Sequence, residues 1–391
     1  MKIIIAGGGT GGHLFPGIAI AEELKKRDGT TEVTFVGTER GIESSIIPRE
    51  GYPIRYLRAE GLVGKSLLKK VTGALRTVFS LHESYSLLKR LRPDAVIGVG
   101  GYASFGPVLA ARFLSVPTLI AEQNTIPGLA NRILGKIADA VCVTYHESLS
   151  FFPRNKTFIT GNPIRNRILS GDREGAYDLF SLDRGRFTIF VFGGSAGART
   201  INNAVCGAFP FVNDIKDGIQ FLHQTGKGDY ETVRETYRKW GFRGTVTPFI
   251  HQMPEAYAVA DLVLSRAGAT TLAELTALGR PAILIPYPFA AAHHQEMNAE
   301  RLSEMGAVRV ILDHELDGET LARNIRDLYS DAGMRFEMQR SSRSLGRPDA
   351  AQKVVDILTS LVKMLAAGSG RPRQKAFQRH MSNHGDTEAL R

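Results

Sequence analysis

Short apolar runs rich in β-branched residues recur along the chain. Each is followed by small or polar residues, and then by apolar positions at helical spacing. The first run, Lys2-Ile3-Ile4-Ile5-Ala6, predicts a buried strand. Ile18, Ala19, Ala21 and Leu24 after it predict a helix. The same rhythm predicts strands over residues 32–37, 52–57 (a weaker pattern), 93–99, 116–121, 140–144 and 157–160. A long helical region covers 64–92. The second half repeats the rhythm, with strands over 188–192, 218–222, 245–250, 261–265, 281–287 and 308–312 and a final helix over 349–366. Strands alternating with helices predict an α/β protein with parallel sheets covered by helices on both faces.

Glycines sharpen the picture. Five of the six residues after Ala6 are glycine, in Gly7-Gly8-Gly9-Thr10-Gly11-Gly12-His13. Strand, glycine turn and helix start is how such proteins offer backbone N–H groups to a phosphate. The device returns at Gly193-Gly194-Ser195-Ala196-Gly197-Ala198-Arg199, after the strand at 188–192. Two such units predict two similar α/β halves. The stretch Gly161-Asn162-Pro163-Ile164-Arg165 reads as the hinge between them. The expected domains are 1–162 and 163–346, then a helix over 347–366. A basic tail over 367–391 carries almost no apolar periodicity and reads as disordered.

Composition narrows the class. At 391 residues and 43% hydrophobic content the chain can fill two ordinary cores, which excludes global disorder. A net charge of +10 suggests an anionic partner: nucleic acid, nucleotide phosphate or an acidic membrane surface. Two cysteines in apolar settings, Cys142 and Cys206, read as reduced thiols. No apolar stretch reaches the roughly 18 residues of a membrane span. The N-terminus turns glycine-rich too soon for a signal peptide. The expectation is a soluble or peripheral protein of the cytoplasm.

Polar residues cluster after predicted strands. His13 closes the first glycine loop, as a ligand-facing imidazole or a plain helix cap. Gly7, Gly9 and Gly12 also fit the dinucleotide fingerprint, with Glu39 near the offset of its acidic ribose ligand. The second glycine loop is one more than such a domain needs. Glu122-Gln123-Asn124 follows another strand, as sugar ligands or as a turn built on Asn124. Ser265-Arg266-Ala267-Gly268-Ala269-Thr270-Thr271-Leu272-Ala273-Glu274 turns into a helix whose first N–H groups can hold phosphate. Glu274 suits the hydroxyls of a ribose, or serves the helix dipole. His293, His294, Gln295 and Asn298 follow as candidate sugar ligands. Adjacent histidines suit a metal poorly and no Asp-x-Asp occurs, so no metal and no cofactor is expected.

Residues 65–92 carry Leu67, Leu68, Val71, Leu75, Val78 and Phe79 on one helical face. Lys65, Lys69, Lys70, Arg76, Lys89, Arg90 and Arg92 surround it, against one acid, Glu83. A basic amphipathic helix lies on an anionic membrane, or packs on a sheet as an ordinary surface helix.

At Gly8–Gly17, Gly100-Gly101-Tyr102, Glu122-Gln123-Asn124, Gly161–Arg165, Gly193–Arg199 and the 265–274 turn, the chain resembles the MurG family. These are the UDP-N-acetylglucosamine transferases of peptidoglycan synthesis, within glycosyltransferase family 28. The motifs span residues 1 to about 365, and the basic tail stands outside the pattern. The resemblance implies a GT-B fold: two Rossmann-like domains facing across a cleft, the last helix returning to the first. It implies inverting transfer of N-acetylglucosamine from UDP-N-acetylglucosamine to the C4 hydroxyl of lipid I, the polyprenyl-linked N-acetylmuramoyl-pentapeptide.

By the same resemblance Thr10, Gly11, Gly12, Asn124, Arg165, Ser195, Ile250, Ala269, Thr270, Thr271, Leu272, Ala273, Glu274 and Gln295 correspond to donor-binding positions. The family often has a second glutamine where this chain has His294. The chemistry agrees. Ser195, the 193–197 amides and Arg165 can hold the departing diphosphate without a metal. Ile250 offers backbone groups to uracil, and Glu274 suits the ribose. The acceptor hydroxyl needs a base, with His13 the first candidate and Glu122 the reserve. A membrane-anchored acceptor favours the membrane reading of 65–92, at the cytoplasmic face of the plasma membrane. A UDP-sugar epimerase and a diacylglycerol glycosyltransferase would use similar loops. A NAD-dependent dehydrogenase would need Glu39 on a ribose. A nucleic-acid binder would leave the polar strand ends unexplained, and no nucleic-acid partner is expected.

Overall fold

The computed structural model describes residues 1–58, 80–290 and 293–366. They form two compact units, one of residues 1–165 with 348–366 and one of Asn166–Arg347.

The first unit is built on a seven-stranded sheet in the order β3-β2-β1-β4-β5-β6-β7. The strands are β1 (Lys2–Ala6), β2 (Glu32–Gly37), β3 (Ile54–Tyr56), β4 (Ala95–Gly98), β5 (Thr118–Glu122), β6 (Ala140–Val143) and β7 (Thr157–Ile159). Every pairing is parallel. After Lys2, β1 is buried throughout, as are β4, β5 and β6. That is why these strands read as continuous apolar runs rather than alternating ones.

One face of the sheet packs against Leu14, Ile18 and Leu24 of the helix Gly11–Arg27 and against Val354, Val355, Leu358 and Leu361 of the last helix, Ala350–Ala366. Each of these aliphatic side chains contributes about 1.5–3 kcal/mol on full burial. Arg27 adds polar ties to the last helix, pairing with Asp356 and donating to the Gln352 carbonyl at 3.1 Å. The last helix therefore belongs to the first unit although it follows the second in sequence.

The second unit repeats the plan with six strands in the order β10-β9-β8-β11-β12-β13, again all parallel. They are β8 (Phe187–Phe192), β9 (Ile219–Gln224), β10 (Gly244–Thr247), β11 (Leu262–Ser265), β12 (Ala282–Leu284) and β13 (Arg309–Val310). Several strands are shorter than their apolar pattern, two of them at a proline. β10 stops before Pro248 and β12 before Pro286, because proline has no N–H to give the ladder. Apolar clusters fill both faces of the sheet.

Residues 80–91 are helical. The apolar face at Leu67, Leu68, Val71, Leu75, Val78 and Phe79 lies outside the described residues, as do Lys65, Lys69, Lys70, Arg76 and the 367–391 tail.

Candidate functional site

In each sheet the strand order reverses at its first strand. β1 lies between β2 and β4, and β8 lies between β9 and β11. Helices leaving such a switch point on opposite faces open a crevice beyond the carboxyl ends of the strands. The polar loops singled out in the sequence sit at these two places.

In the first unit the glycine loop is not an open cradle of amides. Gly7 N–H donates to Val36 O at 3.0 Å, and Gly9 N–H donates to Glu43 Oε2 at 2.8 Å. Glu43 comes from the helix Glu43–Arg49 and is 1% exposed. Its Oε1 accepts from both the N–H and the hydroxyl of Thr38 at 2.9 Å. Its carboxylate fills the space where Cβ atoms on Gly8, Gly37 and Gly41 would stand. A carboxylate in that position takes one of the loop's donors, the Gly9 N–H, and its charge opposes a phosphate beside it. Glu39, the ribose ligand expected on the dinucleotide reading, is exposed.

His13 lies in the first turn of the helix Gly11–Arg27, half-buried, with Nδ1 3.2 Å from the hydroxyl of exposed Thr10. Gly11 and Gly12 form the start of the same turn. The imidazole lies against Gly100 in the loop after β4. A Cβ there would stand 2.6 Å from His13 Cδ2, and Gly100 has φ +98. Gly101 in turn abuts the Gly8 carbonyl. The Gly100-Gly101 pair thus lets two loops close on one another with the imidazole against the second. Arg165, 8% exposed, lays its guanidinium 4.3 Å over the Phe15 ring on the same helix.

Glu122 ends β5 and is buried. Oε1 accepts from the N–H and side-chain amide of Asn124, and Oε2 from Gly128 N–H and Asn131 Nδ2. Burial pushes this carboxyl above its ordinary range, and the four donors pull it back. Gln123 donates to Val99 O and Ala121 O at 3.1 Å, tying this loop to the one after β4. The polar cluster 122–124, read as needing a sugar for partners, finds many of them inside the protein. Glu122 is the organiser of its own loop.

In the second unit the loop after β8 runs into the helix Arg199–Val212, and Ser195 is exposed at its tip. Gly197 has φ +79, and a Cβ there would stand 2.0 Å from Thr225 O. Gln224, the last residue of β9, bridges two candidates: Nε2 donates to Gly194 O at 2.9 Å and Oε1 accepts from Ile250 N–H at 2.8 Å. Of the Ile250 backbone groups expected for uracil, the N–H is therefore already used. Behind this loop, His223 is buried between Tyr237 Oη and Asn202 Oδ1, each 3.1 Å away. Burial pushes its imidazole down to about 3.

The turn after β11 leads into the helix Ala269–Leu278, whose N-cap Gly268 offers no side-chain cap. The amides of its first turn, at Ala269, Thr270 and Thr271, form a positive helix end. Leu272 is core, whereas Ala273 is half-buried. Glu274 sits one turn on, 4% exposed, and accepts from Tyr257 Oη at 2.9 Å. Tyr257 is fully buried, with its ring edge-on to Phe190 and Phe192, which fixes the direction of the hydroxyl. Arg266 pins the turn by donating to the carbonyls of Ile285 and Pro286 and pairing with Asp313. Gln295, on the helix His294–Glu304, accepts from Tyr287 N–H at 2.9 Å through Oε1. His293 is exposed in the left-handed conformation. No group of three or more metal-ligating side chains occurs among the described residues. Cys142 and Cys206 are both free thiols.

Glu43, Asn131, Gln224 and Tyr257 were not candidates from sequence. Glu43 had a signal, a carboxylate two residues after Gly41 and six after Gly37. The others carry no motif or spacing that marks them.

Residues 3–143 match the glycosyltransferase family 28 N-terminal domain, and 188–354 match the glycosyltransferase family 28 C-terminal domain. A relative from Thermodesulfovibrio yellowstonii is 50% identical over 93% of this chain and 99% of its own. One from Myxococcus xanthus is 45% identical over 95% and 96%. Both are named UDP-N-acetylglucosamine--N-acetylmuramyl-(pentapeptide) pyrophosphoryl-undecaprenol N-acetylglucosamine transferase. The crystal structure of Acinetobacter baumannii MurG is similar with a TM-score of 0.71 at 27% identity, over 92% of this chain and 99% of that one. A Neisseria meningitidis UDP-GlcNAc 2-epimerase shares the fold at 13% identity and a TM-score of 0.66, over 92% of this chain and 100% of that one. Two family domains in order, on two parallel sheets, and near-full-length relatives at about half identity lead to one conclusion: the chain belongs to glycosyltransferase family 28 and has the GT-B fold.

Proposed function

We infer that the protein transfers N-acetylglucosamine from UDP-N-acetylglucosamine to the C4 hydroxyl of lipid I, with inversion, in peptidoglycan synthesis. The observation that carries this reading is 45–50% identity to transferases of that name along nearly their whole length. The epimerase alternative rests on fold likeness alone, at 13% identity.

Nucleotide binding falls to the second unit. The helix N-terminus at Ala269–Thr271 and the loop carrying Ser195 suit the diphosphate, whose charge grows as the sugar leaves. Glu274, aimed by Tyr257, accepts from ribose hydroxyls. Uracil reads the Ile250 segment through groups other than its N–H, and Gln295 faces the sugar from the helix after β12. Chemistry at the acceptor falls to the first unit. His13 takes the proton from the attacking hydroxyl. Glu122 shapes the 122–131 loop, which carries Asn124. Arg165 steadies the helix of His13 through Phe15.

The acceptor's polyprenyl chain calls for docking on the bilayer at the cytoplasmic face. No helix among the described residues is long and apolar enough to cross a membrane. Residues 65–92 supply basic and apolar side chains for peripheral docking. Phe113, 66% exposed, and Leu129, 61% exposed, are further exposed apolar side chains on two helices of the first unit.

Calorimetric titration tests the reading. UDP-N-acetylglucosamine should bind and NAD should not. Glu274→Ala should weaken UDP binding by about 1–3 kcal/mol, the range for a lost charged hydrogen bond. Unchanged UDP affinity in the folded variant would remove the ribose role.

A further inference from the structure

Glu43 is a buried carboxylate without a described cationic partner. It is held by three neutral donors, Gly9 N–H and the N–H and hydroxyl of Thr38. Burying such a group is costly unless its bonds are good, and bonds to an ionised acceptor are the strong kind. Its surroundings are shaped to it. Gly8, Gly37 and Gly41 each lack the Cβ that would strike the carboxyl group, which comes from a separate helix. Gly8 then carries the Gly101 backbone on its carbonyl, and Gly100 carries the His13 ring. A continuous stack of contacts runs from the carboxylate through two glycine loops to the imidazole.

We propose that Glu43 is a positioning residue for the transfer step, clamping the 7–9 loop so that His13 is held against Gly100 in its working orientation. The proposal rests on the reading of His13 as the base. Glu43 is 1% exposed, so its removal should act through the placement of the imidazole. A shift of about 1 Å in a catalytic group costs on the order of 100-fold in rate.

The substitution Glu43→Gln keeps the shape, but its NH₂ must face one of the N–H donors. It should lower kcat by about 10- to 100-fold, with the affinity for UDP unchanged, since the nucleotide candidates Ser195, Ile250 and Ala269–Glu274 lie in the other unit. The discriminating readout is the double variant. In a His13→Ala background Glu43→Gln should cost nothing further, because groups that act as one unit are not additive. A purely structural role would lower the rate equally in both backgrounds, and that additivity would overturn the proposal. So would an unchanged kcat in Glu43→Gln while His13→Ala is inactive. If His13→Ala itself retains turnover, the base assignment fails instead, and the two failures are distinguishable. Should Glu43→Gln not fold, Thr38→Val removes one donor and takes its place. The expected result is a smaller loss of kcat that again vanishes in the His13→Ala background, and no loss would overturn the proposal.

Discussion

At the scale of single residues the histidines divide sharply by surroundings. His13 is half-buried beside a hydroxyl and a glycine loop, whereas His223 is sealed in the second unit's core. Replacing His13 by alanine should lower turnover by roughly 10²–10⁴-fold, with UDP affinity retained. Single-turnover assays on a soluble lipid I analogue would show this. His223 has a different consequence. Its ordinary value of 6.5 is pushed to about 3 in the fold. Between those values the unfolded chain binds a proton that the folded chain refuses, so stability falls as pH drops through that window and is unaffected above it. Urea midpoints at about pH 7.5 and about pH 5 should therefore separate in the parent and draw closer in His223→Gln. Equal separation would assign the acid sensitivity elsewhere. From sequence, His13 stood out because it follows a glycine loop, while His223, just past the expected 218–222 strand, was not singled out. What hides Glu43, Gln224 and Tyr257 from sequence is that their partners are distant in the chain. Glu43 takes donors from Gly9, and Tyr257 donates to Glu274.

At the scale of elements, strands and helices were legible because parallel strands buried on both faces must be apolar throughout. Two of the misjudged strand ends meet Pro248 and Pro286, where a missing N–H outweighs an apolar pattern. The glycine loops were legible as loops, but not in what packs against them. The two sequences look alike, yet the first is filled by a carboxylate and the second is closed against Thr225 with Ser195 exposed. Composition records the need for room and not what occupies it. Gly100 gives a direct test. Its positive φ and its contact with His13 both oppose a side chain. Gly100→Ala should displace the imidazole and lower kcat by on the order of 100-fold, leaving UDP binding intact. Titration and rate measurements on the same sample would separate the two effects, and a normal rate would detach this loop from catalysis.

At the scale of the whole molecule, acceptor chemistry is assigned to one unit and nucleotide recognition to the other. The last helix is bonded back to the first unit through Arg27. The +10 net charge fits docking on an anionic bilayer. Vesicle co-sedimentation should increase with anionic lipid and weaken with salt as charges are screened. Phe113→Ser should reduce the salt-resistant part, which apolar burial supplies at up to about 3 kcal/mol for a phenylalanine. Binding equal to the parent's would move the docking surface elsewhere.

The central claim is the transfer itself. Incubation of the full chain with UDP-N-acetylglucosamine and a short-chain lipid I analogue, followed by NMR of the product, tests it most directly. The account predicts release of UDP and a new β-linked N-acetylglucosamine on the C4 oxygen of the muramoyl sugar, without added metal. A C2-epimerised UDP-sugar, no transfer to this acceptor, or an α-linkage would contradict it.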